Sequence, residues 1–232
     1  MRGQFPGVRY VTSRESCIVV CDAIRSVPVL MEKYMKRESI GVLVSGAGSN
    51  LSAMIEAGLS IAVVVADREC DARWVAMEAD IPFRVVRWEE YKDARDMSAA
   101  RNLFTQQIVR EMRRHEVTLV AMAGFMRILS WHMFEAYPQR VLNVHPSLLP
   151  LFPGAHAVCD ALAAGALETG CTVHIATEKV DDDQYILAQQ RLPVFPHDTE
   201  ASLHTRIKAI EHRIYPTAIK EYMDQLKNRV PI

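Results

Sequence analysis

Between residues 40 and 144 the chain sets short β-branched runs against helical stretches. Ile40-Gly-Val-Leu-Val-Ser45, Ile61-Ala-Val-Val-Val-Ala66, Phe83-Arg-Val-Val-Arg87, Val117-Thr-Leu-Val-Ala-Met-Ala123 and Arg140-Val-Leu-Asn-Val144 all have strand length. Most are apolar throughout, and a strand without a polar face is buried on both sides. Helices expected near 50–58, 71–79 and 98–115 supply that cover. The pattern predicts an α/β fold with a mostly parallel central sheet and helices on both faces. Cys171-Thr-Val-His-Ile-Ala176 and Tyr185 to Val194 read as late, antiparallel strands. A last long helix starts near Asp198-Thr199, with Leu203, Ile207, Ile210, Ile214, Ala218 and Tyr222 at three- and four-residue spacing. Residues 1–39 fit this pattern poorly. They are expected to form an N-terminal extension of unknown role with a helix near 15–37, interrupted at Pro28, ahead of one domain over 40–232.

Charge and cysteine usage narrow the class. The formal net charge is −1, and no basic excess points to nucleic acid or to an anionic membrane. Cys17, Cys21, Cys70, Cys159 and Cys171 are scattered, odd in number and without a Cys-x-x-Cys pair, as in a reducing, cytoplasmic setting. No run reaches membrane-spanning length, and the N-terminus has no signal-peptide core. Arg2, Arg9 and Arg14 with no acid before Glu15 leave a transit peptide open.

Several polar groups stand where strands end. Ser45-Gly-Ala-Gly-Ser-Asn50 lies between the first strand and a helix; glycines allow a close ligand approach, and a helix N-terminus suits phosphate. A plain turn with Ser49 or Asn50 capping the helix explains it equally well. Neither a dinucleotide fingerprint nor a Walker loop is present. Leu142-Asn-Val-His-Pro-Ser-Leu-Leu-Pro150 places Asn143 and His145 on one side of a strand at its C-terminal end. An amide and an imidazolium so placed can share an oxyanion, although two satisfied polar groups under a loop would look the same. Asp181-Asp182-Asp183 either supplies a carboxylate to His145 or forms a solvated turn, and no ligand spacing around it suggests a metal. Arg127 follows the fourth strand at a helix start, an unfavourable place for a surface cation. His174 and Glu211, taken alone, read as structural.

Together these segments resemble the glycinamide ribonucleotide transformylases, folate-dependent formyltransferases of purine synthesis. The resemblance spans about residues 40–223 and rests on SGAGSN, AGFMRIL, LNVHPSLLP, FPGAHA, GCTVH and EHRIYP in that order. It implies a Rossmann-like formyltransferase fold. It also implies transfer of the formyl group of 10-formyltetrahydrofolate, as co-substrate, to glycinamide ribonucleotide, without a metal and by a monomer or homodimer. By this similarity Asn143, His145 and Asp181 are catalytic. Gly48, Ser49 and Asn50 hold the ribose phosphate, and Glu211 the ribose hydroxyls. Arg101 faces phosphate or substrate, with Arg95 as the alternative. Met126, Arg127, Ile128 and Leu129 form the folate segment. One departure stands out: the family pattern Asp-x-Gly reads Asp181-Asp182-Asp183 here, so that a glycine conformation, if required at 183, would strain the turn. The alternatives are another formyl-folate transferase or hydrolase, or a ligand-binding relative that has lost catalysis.

Overall fold

The computed structural model describes residues 39–228 and, as backbone, two strands before them. Those strands, β1 (Val8–Ser13) and β2 (Ser16–Cys21), pair antiparallel from Val8↔Cys21 to Ser13↔Ser16. The helix expected near 15–37 is thus a strand over its first residues. Ile18, Val19 and Val20 are consecutive β-branched residues, which lose rotamer freedom in a helix and suit extended chain. The rest of that expected helix, with Pro28, lies outside the described residues.

The remaining described chain divides into two compact units. The first runs to Val144 and includes Ala176–Val180; the second comprises His145–Ile175 and the described residues from Asp181 onward.

In the first unit β3 (Ile40–Val44), α1 (Ser49–Glu56), β4 (Ile61–Ala66), α2 (Ala72–Glu78), β5 (Phe83–Val85), α3 (Met97–Arg114), β6 (Leu119–Met122) and α4 (Trp131–Ala136) follow one another. They lead into β7 (Val141–His145), whose last residue is counted with the second unit. The strands lie in the order β5-β4-β3-β6-β7, and each neighbouring pair is parallel. Val42, Leu43, Val44, Val63, Val64 and Val65 have no exposed surface, as the continuous apolar runs require. Ala100, Phe104, Ile108 and Met112 stand at four-residue spacing on α3 and are likewise fully buried. Phe104 takes Trp88 edge-on at 5.3 Å and lies parallel to Phe125 at 6.4 Å. From β3 the chain builds outward through β4 and β5, then returns to β3's other side with β6 and β7. The switch point therefore lies between β3 and β6, where such sheets bind ligands beyond the C-terminal strand ends.

The second unit holds α5 (Ala157–Ala163), β8 (Glu168–Ile175), β9 (Ile186–Pro193) and α6 (Glu200–Lys227). β8 and β9 are antiparallel, from Glu168↔Pro193 to His174↔Ile186, with an irregularity between Val173 and His174. α6 opens on a capping box formed by Thr199 and Ser202. Its expected apolar stripe is buried at Leu203, Ile207, Ile210, Ala218 and Tyr222, while Tyr215 is buried more deeply than Ile214. No helix among the described residues is long and apolar enough to cross a membrane.

Candidate active site

The glycine loop is shaped by packing. Gly48 has φ 80° and ψ 22°, and a Cβ there would lie 2.8 Å from Ala72 Cβ and 2.9 Å from Ala72 Cα. Both the left-handed backbone and the closeness of α2 exclude a side chain. The Ala72 N–H donates to the Gly46 carbonyl at 3.1 Å, tying α2 to the loop. Gly48 is itself the N-cap of α1, and no side chain caps the helix. Ser49 and Asn50 therefore do not serve as caps; they occupy the first turn, where backbone N–H groups have no intrahelical acceptor and the dipole favours an anion. Gly48→Ala should destabilise the protein by about 1–3 kcal/mol, the sum of left-handed strain and a forced shift of Ala72. Urea denaturation measures this, and unchanged stability would mean that the loop is not held against α2.

A polar network joins the ends of three neighbouring strands. Ser45 follows β3, Asp67 follows β4, and Met126 and Arg127 follow β6. The Met126 N–H donates to Ser45 Oγ at 2.9 Å, and Arg127 Nε donates to Asp67 Oδ2 at 2.8 Å. Arg68 donates to the same carboxylate through Nε at 3.2 Å and Nη2 at 2.8 Å. Asp67 is buried, which by itself would raise its pKa, but hydrogen bonds from Arg68, Arg127 and Ser45 outweigh burial and hold the carboxyl below its ordinary value. The Arg127 guanidinium also lies over the Trp88 ring, 5.4 Å from its centroid. This answers why a cation stands at that strand end: it is paired with a buried acid. In the same segment Met126 and Ile128 are exposed, whereas Leu129 is buried in the core with Phe104, Phe125 and Met133. Arg101 is half-buried in the first turns of α3, and Arg95 is exposed just before that helix.

Asn143 lies on β7 opposite Met122 of β6, and His145 ends the strand, two residues on and on the same face. His145 is buried, and both of its ring nitrogens meet acceptors. Nε2 faces the Phe152 carbonyl at 2.8 Å, and Nδ1 faces Asp181 Oδ1 at 3.3 Å. Asp181 Oδ2 accepts the Gly154 N–H at 2.6 Å, so the carboxylate ties the loop that follows β7 to the acidic turn. His174 Nε2 is 3.9 Å from Asp181 Oδ1. Burial lowers the His174 pKa, with the nearby Asp181 charge acting in the opposite sense, so this second imidazole is held toward neutrality.

The acidic turn differs from expectation in one respect. The left-handed residue is Asp181, with φ 50°, and not Asp183. Asp182 is buried and accepts the Gln184 N–H at 3.2 Å, while Asp183 is exposed. The left-handed strain foreseen from the missing glycine is therefore absent at 183. Glu211 is buried on α6; burial first and then its charge push the Cys171 thiol well above its ordinary pKa, which keeps that cysteine neutral and inert. Among the described residues no group of three or more His, Cys, Asp or Glu side chains is placed to hold a metal ion.

The structure thus brings His145 and Asp181 together and sets Arg127 against an acid that sequence reasoning missed. Asp67 carried a usable signal: it is the first polar residue after an apolar strand next to the switch point. Trp88 carried none, and Phe152 and Gly154 stood out only within the FPGAHA motif, since a stacking ring, a carbonyl and an amide become partners only through the tertiary fold.

The formyl transferase family profile matches residues 38–219. The chain belongs to the formyl transferase family. Among its formyl transferase relatives is the phosphoribosylglycinamide formyltransferase of Mycobacterium tuberculosis, 41% identical over 185 residues, which cover 77% of this chain and 81% of that protein. The human trifunctional purine biosynthetic protein adenosine-3 is 38% identical over 192 residues, 80% of this chain but 18% of that longer protein. The crystal structure of glycinamide ribonucleotide transformylase 1 from Symbiobacterium toebii superposes with a TM-score of 0.75 at 36% identity, covering 86% of this chain and 91% of the other. The formyl transferase fold is Rossmann-like, as the family resemblance implies and in agreement with the mostly parallel sheet.

Proposed function

We propose that the chain transfers the formyl group of 10-formyltetrahydrofolate to the amine of glycinamide ribonucleotide, in the cytoplasmic synthesis of purines. Formyl transferase membership, with neighbours named for this reaction, supports the activity. The observation that carries the mechanism is His145 at the C-terminal end of β7, backed by Asp181 at 3.3 Å.

The substrate amine attacks the formyl carbon, and a C–N bond forms as the carbonyl electrons move onto oxygen. Asn143 donates its amide N–H to that oxyanion. His145 supplies a second N–H, Nε2 turning from the Phe152 carbonyl to the oxyanion. Collapse of the intermediate restores the carbonyl and breaks the bond to folate N10. The proton lost by the amine ends on N10, relayed by Asp181 and His145 through water. No metal takes part in these steps. Gly48, Ser49 and Asn50 hold the phosphate on the backbone N–H groups of the first turn of α1. Arg101 contributes charge to substrate binding, and Glu211 accepts the ribose hydroxyls. The 126–129 segment binds folate, Met126 and Ile128 through exposed side chains and Leu129 through its backbone, because its side chain belongs to the core.

The test is to supply both substrates to the purified protein and quantify formylated ribonucleotide and free formate. The amide should form in step with folate consumption. Formate released without the acceptor would instead identify a hydrolase, and no turnover a binding protein.

The exposed Asp183 is expected to matter little. Asp183→Gly should leave kcat and both KM values within about twofold, in the range of surface substitutions away from special backbone positions. Steady-state kinetics at neutral pH checks this, and a large loss would give Asp183 a role in the site.

A further inference from the structure

The buried carboxylate of Asp67 is outside the roles proposed above, yet it is the hub of the network at the switch point. It accepts Arg127 Nε at 2.8 Å, and Ser45, which hydrogen-bonds to it, accepts the Met126 N–H at 2.9 Å. One carboxylate thus touches the first residue of the glycine-loop segment directly. It also touches the first two residues of the 126–129 segment, one through a side chain and one through Ser45. Its own side chain is fully buried. Trp88 closes the arrangement, with its ring under Arg127 and its backbone N–H donating to the Asp67 backbone carbonyl at 3.2 Å.

We infer that Asp67 is a positioning residue for folate binding: it fixes the Arg127 guanidinium and, through Ser45, the Met126 backbone in the geometry the co-substrate meets. The inference rests on the proposed folate role of residues 126–129. A charge-assisted pair inside the protein is stronger and more directional than a neutral one, so a carboxylate defines the Arg127 rotamer better than an amide of the same size would. An amide would also turn its NH2 toward guanidinium donors, where nothing can accept.

Asp67→Asn should raise KM for 10-formyltetrahydrofolate about tenfold, the effect of one lost charged hydrogen bond, with kcat held within about twofold because no group meeting the oxyanion has changed. Without any substrate, Trp88 emission should shift in the variant. Trp88→Phe provides the blank for Trp74 and Trp131. Ser45→Ala, which removes the tie to Met126 and one hydrogen bond to Asp67 but leaves the carboxylate paired with Arg127, should raise the same KM about threefold. It decides the matter if Asp67→Asn does not fold, as judged by circular dichroism. An unchanged KM in a folded Asp67→Asn protein, or a fall in kcat with KM unchanged, overturns the inference; so does an unchanged KM in Ser45→Ala where the first variant is lost. A wild-type protein that transfers no formyl group would instead reject the proposed function, while the Trp88 shift would still report whether Asp67 holds Arg127.

Discussion

Replacing Asn143 or His145 with Ala should lower kcat for formyl transfer by about a hundred- to a thousandfold each, the usual cost of one oxyanion donor. KM for either substrate should move much less, because these groups act on charge that exists only in the transition state. The double variant should fall well short of the product of the two single losses, since both donors serve one oxygen. His145 is buried at 4% exposure and leaves the Phe152 carbonyl and Asp181 without their imidazole partner, so a loss of stability should accompany its loss of activity. Rapid-quench measurement of the chemical step at saturating substrates separates the two effects. Near-normal turnover in either variant would remove that residue from the mechanism.

Asp181→Asn should reduce kcat by about a thousandfold with the fold preserved, because a carboxylate that orients and charges an imidazole is not replaced by an amide. Its backbone, at φ 50°, is one that Asn adopts as readily as Asp. The Asn carbonyl can keep the bond from the Gly154 N–H, which Asp181 now accepts at 2.6 Å. The charge opposite His145 Nδ1 is what disappears. The amide can then donate to Nδ1 and favour the tautomer with its proton on Nε2, which does not charge the ring. His174, pushed toward neutrality by burial, is poorly suited to take over this task. Single-turnover kinetics at saturating substrates, with circular dichroism to confirm the fold, checks this. Full activity would leave His145 without need of its carboxylate.

The parallel core was readable from the sequence because it is written in continuous apolar runs. β3, β4 and β6 have no polar face to misplace, so position and type were fixed together. α4 and α5, of six and seven residues, were not read from the sequence. The segment after Ser16 was misread because its β-branched run is brief and follows Arg14 and Glu15, which suit a helix equally well. Within the site, the Asn-x-His pair was visible through strand alternation, a local property. Its link to the acidic run, 36 positions further along the chain at Asp181, was one of two readings of that run, and only the family resemblance singled out Asp181. The strain at the acidic turn was assigned to Asp183 when it belongs to Asp181, because sequence shows which residue type is unusual but not which φ is positive. Asp67 was missed although its position repeats that of Ser45, one residue past an apolar strand; burial and two arginine partners are tertiary facts.

The most direct test of formyl transfer follows the carbon itself. With 10-formyltetrahydrofolate labelled with ¹³C at the formyl group and unlabelled glycinamide ribonucleotide, NMR should show the label moving into the new formamide in one step. The signal should grow at the rate of folate consumption, with no free formate, and should be almost abolished in His145→Ala. Label recovered as formate, or transfer at the wild-type rate in His145→Ala, would contradict the account.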